Sequence, residues 1–201
     1  MRERSPLENV SVEQWLSAFP PVTRAFVDSI RHQKLAGQRP LPSTTLIDAS
    51  ALFMRDFRLG LVDKVATLVD ENYCGRSEMC IQFARLLGLS LRHLDVKARE
   101  VIGAADYFVG GKKVFEWRHA WVRIGREVID GNVDILHENP SVPTGLIIPP
   151  YWGDIAGTPP DRKLREDRTK TYPPDDSDIP TTWWPELRDW LDVANIERNE
   201  R

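Results

Sequence analysis

Apolar residues recur at helical spacing through the first seventy positions of the chain. Ser11-Val12-Glu13-Gln14 has the form of a capping box and opens a short helix through Trp15, Leu16 and Phe19, which Pro20-Pro21 ends. Val22, Phe26 and Ile30 predict a second helix over 22–35, broken by Gly37 and Pro40-Leu41-Pro42. Leu52, Phe53, Phe57, Leu61, Val65 and Leu68 predict a third between Asp48 and Asp70. Gly75 or Ser77 begins a fourth, in which Met79, Phe83 and Leu86 form one stripe and Cys80, Ala84 and Leu87 the next, with Gly88 as its stop.

From Leu89 the period shortens to that of strands. Segments 91–98, 100–104, 107–109, 113–124 and 127–129 read as an antiparallel meander, punctuated by Gly110-Gly111 and Gly125-Arg126. After Asn139-Pro140, three proline pairs and a mixed-charge run over 161–170 predict extended, partly mobile segments lying on the domain. Trp184-Pro185-Glu186-Leu187 opens a last helix with Leu187, Trp190, Leu191 and Ala194 on one face. The expectation is a single α+β domain over 1–201, with helices packed on an antiparallel sheet. It divides into a helical layer (1–70), a core (71–136), a Pro-rich extended segment (137–180) and a C-terminal helix and tail (181–201).

Composition narrows the function classes. With 201 residues, 41% of them hydrophobic, the chain can bury a substantial core. Its 27 basic residues are interspersed among 30 acidic ones and form no basic stripe, so nucleic acid is not an expected partner. No apolar run approaches the ~20 residues that span a bilayer, and no export signal opens the chain, so a cytoplasmic location without a membrane partner is expected. Two cysteines and four histidines show no metal-ligand spacing, which predicts free thiols and no metal or cofactor.

The candidate chemistry lies in Cys74, His119 and Asp130. Cys74 falls at or just before the predicted start of its helix, where unpaired N–H groups and the helix dipole stabilise a thiolate. Cys80, further along, reads as a buried small hydrophobe. In the strand over 113–124, His119 shares a face with Trp117 and Trp121. If Gly125-Arg126 is a two-residue loop, Ile124 opposes Glu127, Trp121 opposes Asp130 and His119 opposes Asn132. Asp130 then lies diagonal to His119 on its face and can orient the ring, with Asn132 in reserve; a three-residue loop would turn Asp130 away. Tyr151 and Trp152, within the cluster Ile147 to Gly153, either wall a substrate cleft or clamp the tail to the core.

These segments resemble the transglutaminase-like cysteine-enzyme superfamily within the papain-like group. The resemblance rests on Cys74 at the head of a helix ending in Leu86-Leu87-Gly88-Leu89, on His119-Ala120-Trp121-Val122, and on Val128-Ile129-Asp130-Gly131, and it covers about residues 70 to 135. It implies a helix-plus-antiparallel-sheet core with Cys74 as nucleophile, His119 as general base and acid, and Asp130 orienting His119. The implied activity is acyl chemistry through a thioester on Cys74, hydrolysing a peptide, protein or small amide substrate as a peptidase, amidase or deamidase. Transfer to an amine, or a non-catalytic protein-binding module that keeps the fold, are the alternatives.

Overall fold

The computed structural model of the chain describes residues 17, 21–36, 45–70, 75–76, 79–138, 142, 146, 148–173 and 179–199. The capping box at 11–14 and Cys74 lie outside the described residues. In chain order the elements are α1 (Pro21–Leu35), β1 (Ile47–Ala49), α2 (Arg55–Val69), α3 (Cys80–His93), β2 (Ala98–Val109), β3 (Lys112–Ile124), β4 (Glu127–Asp130), β5 (Tyr151–Asp154), β6 (Arg162–Glu166) and α4 (Trp184–Asn199). Contacts group the chain into two compact units, Met1–Leu41 with Asp70–Gly75, and Pro42–Val69 with Arg76–Arg201. In the first, α1 is tied down by a buried ion pair between Lys34 and Asp70 at 2.6 Å. No helix among the described residues is long and apolar enough to cross a membrane.

The second unit is an α+β arrangement on one six-stranded sheet, ordered β1-β5-β4-β3-β2-β6. Every neighbouring pair is antiparallel except β1 with β5, so the sheet is mixed rather than antiparallel throughout. Asp48 and Ala49, expected to lie at the start of a helix, belong to β1 because they pair with Trp152 and Gly153 about a hundred positions away, which no local period reveals. Arg58 of α2 holds β1 in place, donating to both Asp48 carboxylate oxygens at 2.8 and 2.6 Å. The stretch expected to be extended cover, 137–180, instead supplies β5 and β6 as members of the sheet.

Leu86, Leu87 and Leu91 of α3 are fully buried against the sheet, in one cluster with Ala120, Val122 and Ile129. Leu61 and Val65 of α2 and Leu187 and Leu191 of α4 complete that core. Each such burial is worth roughly 1.5–3 kcal/mol. The helix starts later and ends later than its sequence implies. Met79, with no side-chain cap, is its half-in residue, and the helix runs through Gly88 to His93. Gly88 is no stop: it gives room to the Glu100 side chain, whose carboxyl carbon lies 2.8 Å from where a Cβ would stand. Residues 91–93, expected in a strand, therefore belong to the helix. Chain reversal comes at Leu94-Asp95, where Asp95 takes φ 61° and the Val96 N–H donates to Leu91 O at 2.9 Å.

Candidate active site

The β3–β4 hairpin is closed by Gly125-Arg126, two residues, with Gly125 at φ 56° as such a turn demands. Ile124 pairs with Glu127 and Val122 with Ile129, so Trp121 and Asp130 come next in the ladder. Asp130 thereby stands diagonal to His119, and His119 Nε2–H donates to Asp130 Oδ1 at 2.8 Å. Both side chains are wholly buried. Two indoles flank the imidazole: Trp117 stacks on it with centroids 4.6 Å apart, and Trp121 lies tilted at 6.2 Å.

The thiol beside this ring is that of Cys80. It heads α3 and is among the groups that favour the protonated form of His119. With Nε2 held by Asp130, Nδ1 is a buried atom without a hydrogen-bond partner among the described residues. The reading of Cys80 as a buried small hydrophobe agrees with its place in the main core, 7% exposed. The helix begins at residue 80 rather than 75 or 77, so Cys80 occupies the helix-start position that the sequence reading gave to Cys74. Among the described residues no side chain caps that start.

A residue absent from the sequence reading completes the charge arrangement. Arg162 of β6, its side chain fully buried, donates through Nη1 to Asp130 Oδ2 at 2.9 Å, and its other nitrogens reach Asp161 and the Pro149 carbonyl. β6 and β4 stand three strand spacings apart, about 14 Å on a flat sheet, so the sheet must curl for this contact to form. Burial pushes the Asp130 carboxyl up, but the charges and hydrogen bonds of His119 and Arg162 outweigh it and hold the group below the usual carboxylate range. For His119, burial disfavours the imidazolium, yet the Asp130 charge and hydrogen bond, with a smaller contribution from Cys80, raise its pKa to about 9. A proton on His119 is therefore bound more tightly in the folded than in the unfolded chain. The associated stability, on the order of 3 kcal/mol, is fully present below pH ~6.5 and is lost as pH rises through about 9. The stability advantage of wild type over His119→Ala in urea unfolding should accordingly be largest below pH ~6.5 and shrink steadily above it.

Asn132, the reserve partner for His119, serves elsewhere. β4 ends at Asp130, so Asn132 leaves the ladder; its Oδ1 accepts from Arg76 Nη1 at 2.9 Å and its Nδ2 donates to Arg76 O at 3.0 Å. Arg76, fully buried, also pairs with Asp134 at 2.6 Å, and its backbone N–H donates to Glu138 at 2.9 Å. These bonds tie the approach to Cys80 to the loop that follows Asp130. Tyr151 and Trp152 are both buried and wall no open cleft. Tyr151 packs with Trp121 and donates its hydroxyl to Asp154 O at 2.7 Å, while Trp152 sits in the main core and donates to Glu127 at 3.1 Å. The signal for Arg162 was weak: Arg162-Lys163-Leu164-Arg165-Glu166 carries charge at every position but one, which reads as solvated chain.

Gly103 pairs directly with His119 in the β2–β3 ladder. A methyl group there would meet the Arg165 carbonyl oxygen of β6 and stand 2.7 Å from the Trp121 ring. Gly103→Ala should push β6, and Arg162 with it, away from the site, lowering the unfolding free energy by about 1–3 kcal/mol in urea titration. A cavity of about 610 Å³, lined by Arg92, Lys97, Arg99 and Arg123, lies at the opposite end of α3 and includes none of Cys80, His119, Asp130 and Arg162. No family model, curated protein or solved structure matches the chain.

Proposed function

We propose that this chain is a cysteine-dependent acyl enzyme with a transglutaminase-like, papain-like core, in which Cys80 is the nucleophile, His119 the general base and acid, and Asp130 the residue that orients His119. The favoured reaction is hydrolysis of an amide or peptide bond in a peptide, protein or small-molecule substrate. The observation that carries this reading is the imidazole bonded at Nε2 to a buried carboxylate, with Nδ1 unpartnered and the thiol of Cys80, at a helix start, among the groups that raise its pKa. The order of parts also supports it: a cysteine helix, then a strand with the histidine, then a strand with the acid.

With its pKa raised to about 9, His119 holds its proton at neutral pH. The Cys80 thiolate adds to the acyl carbon, forming the C–S bond while the carbonyl π pair moves onto oxygen. That oxyanion meets the Cys80 backbone N–H at the helix start. On collapse the pair returns, the C–N bond breaks, and the amine leaves with the proton from His119. Neutral His119 then takes a proton from water, whose oxygen attacks the thioester; the acid departs and the sulfur recovers its electron pair.

Alkylation with iodoacetamide at pH 7, read by peptide mass spectrometry, tests the reading. Cys80 should label at least tenfold faster than a free thiol of ordinary pKa, and His119→Ala should bring it down to the rate of Cys74. Slow labelling of both cysteines in wild type, unchanged by His119→Ala, would overturn it.

A further inference from the structure

Asn132 spends both halves of its side-chain amide on a single residue. Its Oδ1 accepts from Arg76 Nη1 at 2.9 Å, and its Nδ2 donates to the Arg76 carbonyl at 3.0 Å. That carbonyl also accepts from the N–H of Met79, the half-in residue of α3, at 3.1 Å, so Asn132 and the start of the helix share one anchor. The other side of the anchor is the hairpin. Asn132 follows Asp130 by two positions, and a Cβ on the intervening Gly131 would meet the Phe83 ring. Phe83 is three residues after Cys80, on the same side of α3, and the Arg76 guanidinium lies over its ring at 5.8 Å. Arg76 is 0% and Asn132 2% exposed, so water does not compete for these bonds.

Apolar burial and hydrogen bonds constrain the helix differently. Leu86, Leu87 and Leu91 press α3 onto the sheet, but such burial is non-directional and fixes the helix's distance from the sheet better than its position along its own axis. Directional bonds fix that position. A group misplaced by ~1 Å costs acyl chemistry about 100-fold, so the anchor matters to the reaction as well as to the fold. Building on the proposed acyl chemistry, we infer that Asn132 is a positioning residue, which by holding the Arg76 carbonyl sets where the Cys80 sulfur stands relative to His119 and Asp130. It acts through the main chain of Arg76 and touches no reacting atom. An amide is required because the position must accept from a guanidinium and donate to a carbonyl at once, which neither a carboxylate nor a methyl group can do.

Two variants of the full chain test it. Asn132→Ala removes both bonds, whereas Asn132→Asp keeps the acceptor for the guanidinium and loses only the donor to the carbonyl. Each should be acylated by p-nitrophenyl acetate about 100-fold more slowly than wild type. The pH profile of Cys80 alkylation by iodoacetamide, followed by peptide mass spectrometry, should move up toward the ordinary thiol midpoint of about 8.5, because the sulfur has drawn away from the imidazolium. The His119 Cε1 titration, read by NMR, should stay within about half a pH unit of wild type, since Asp130 keeps its bond to the ring. Wild-type acylation of Asn132→Asp overturns the inference. So does slowed acylation with the alkylation profile unmoved, or with the His119 midpoint carried down as well, either of which would mark a purely structural role. If wild-type Cys80 itself reacts with neither probe faster than Cys74, the underlying reading of the site falls instead.

Discussion

Cys80→Ala should abolish acylation by p-nitrophenyl acetate, a loss of at least about 10³-fold, while Cys74→Ala changes the rate by no more than about threefold. The asymmetry follows from position. Cys80 heads α3 and is among the groups that raise the pKa of His119 to about 9. Serine is expected to be as inactive as alanine, because a hydroxyl at its ordinary pKa gives far too little anion beside one imidazole. The loss should be chemical rather than structural: removing one sulfur from a residue already at the core edge costs about 1 kcal/mol or less, so the urea midpoint of Cys80→Ala should fall only slightly. An active Cys80→Ala paired with an inactive Cys74→Ala would refute the assignment.

The second large effect is expected at Asp130, whose two carboxylate oxygens serve two cations. Asp130→Ala leaves the Arg162 guanidinium, fully buried, without its main charge partner and takes from His119 the group that holds its tautomer. A cost of about 3–5 kcal/mol in unfolding free energy is expected, with acylation down about 10²–10⁴-fold. Asp130→Asn separates the two consequences. It keeps the shape and removes the charge, so His119 loses its largest upward influence while burial continues to push the ring down. An NMR titration of the His119 Cε1 proton should show its midpoint move down from about 9, and a midpoint left unchanged would show that Asp130 does not hold the imidazolium. Adding Arg162→Met to Asp130→Asn should recover stability, because both buried charges are then gone, without recovering activity.

The hairpin carrying His119 and Asp130 was legible before any coordinates. Its strands alternate strictly, Gly125-Arg126 can close a two-residue turn, and the parity of that turn alone puts the acid on the histidine's face. The same holds for α1 and α4, whose apolar positions and flanking prolines lie within a few residues of each other. The start of α3 was not legible. Gly75 and Ser77 have the chemistry of helix starts and Met79 has none, so a local reading places the start early and promotes Cys74 over Cys80.

By itself, then, the sequence determined what depends on neighbours in the chain: periods, turn parity, and the facing of His119 toward Asp130. Tertiary structure decided the rest. Arg76 meets Asn132 across 56 positions, Arg162 meets Asp130 across 32 through a curled sheet, and β1 lies parallel to β5. It also set the start of α3, since the packing of Phe83, Leu87 and Leu91 against the sheet, rather than a capping side chain, fixes where the helix lies. The physical reason is common to these cases. Local preferences are worth tenths of a kcal/mol per residue, whereas a buried ion pair or a packed helix face is decided by several kcal/mol of contacts between residues far apart in the chain.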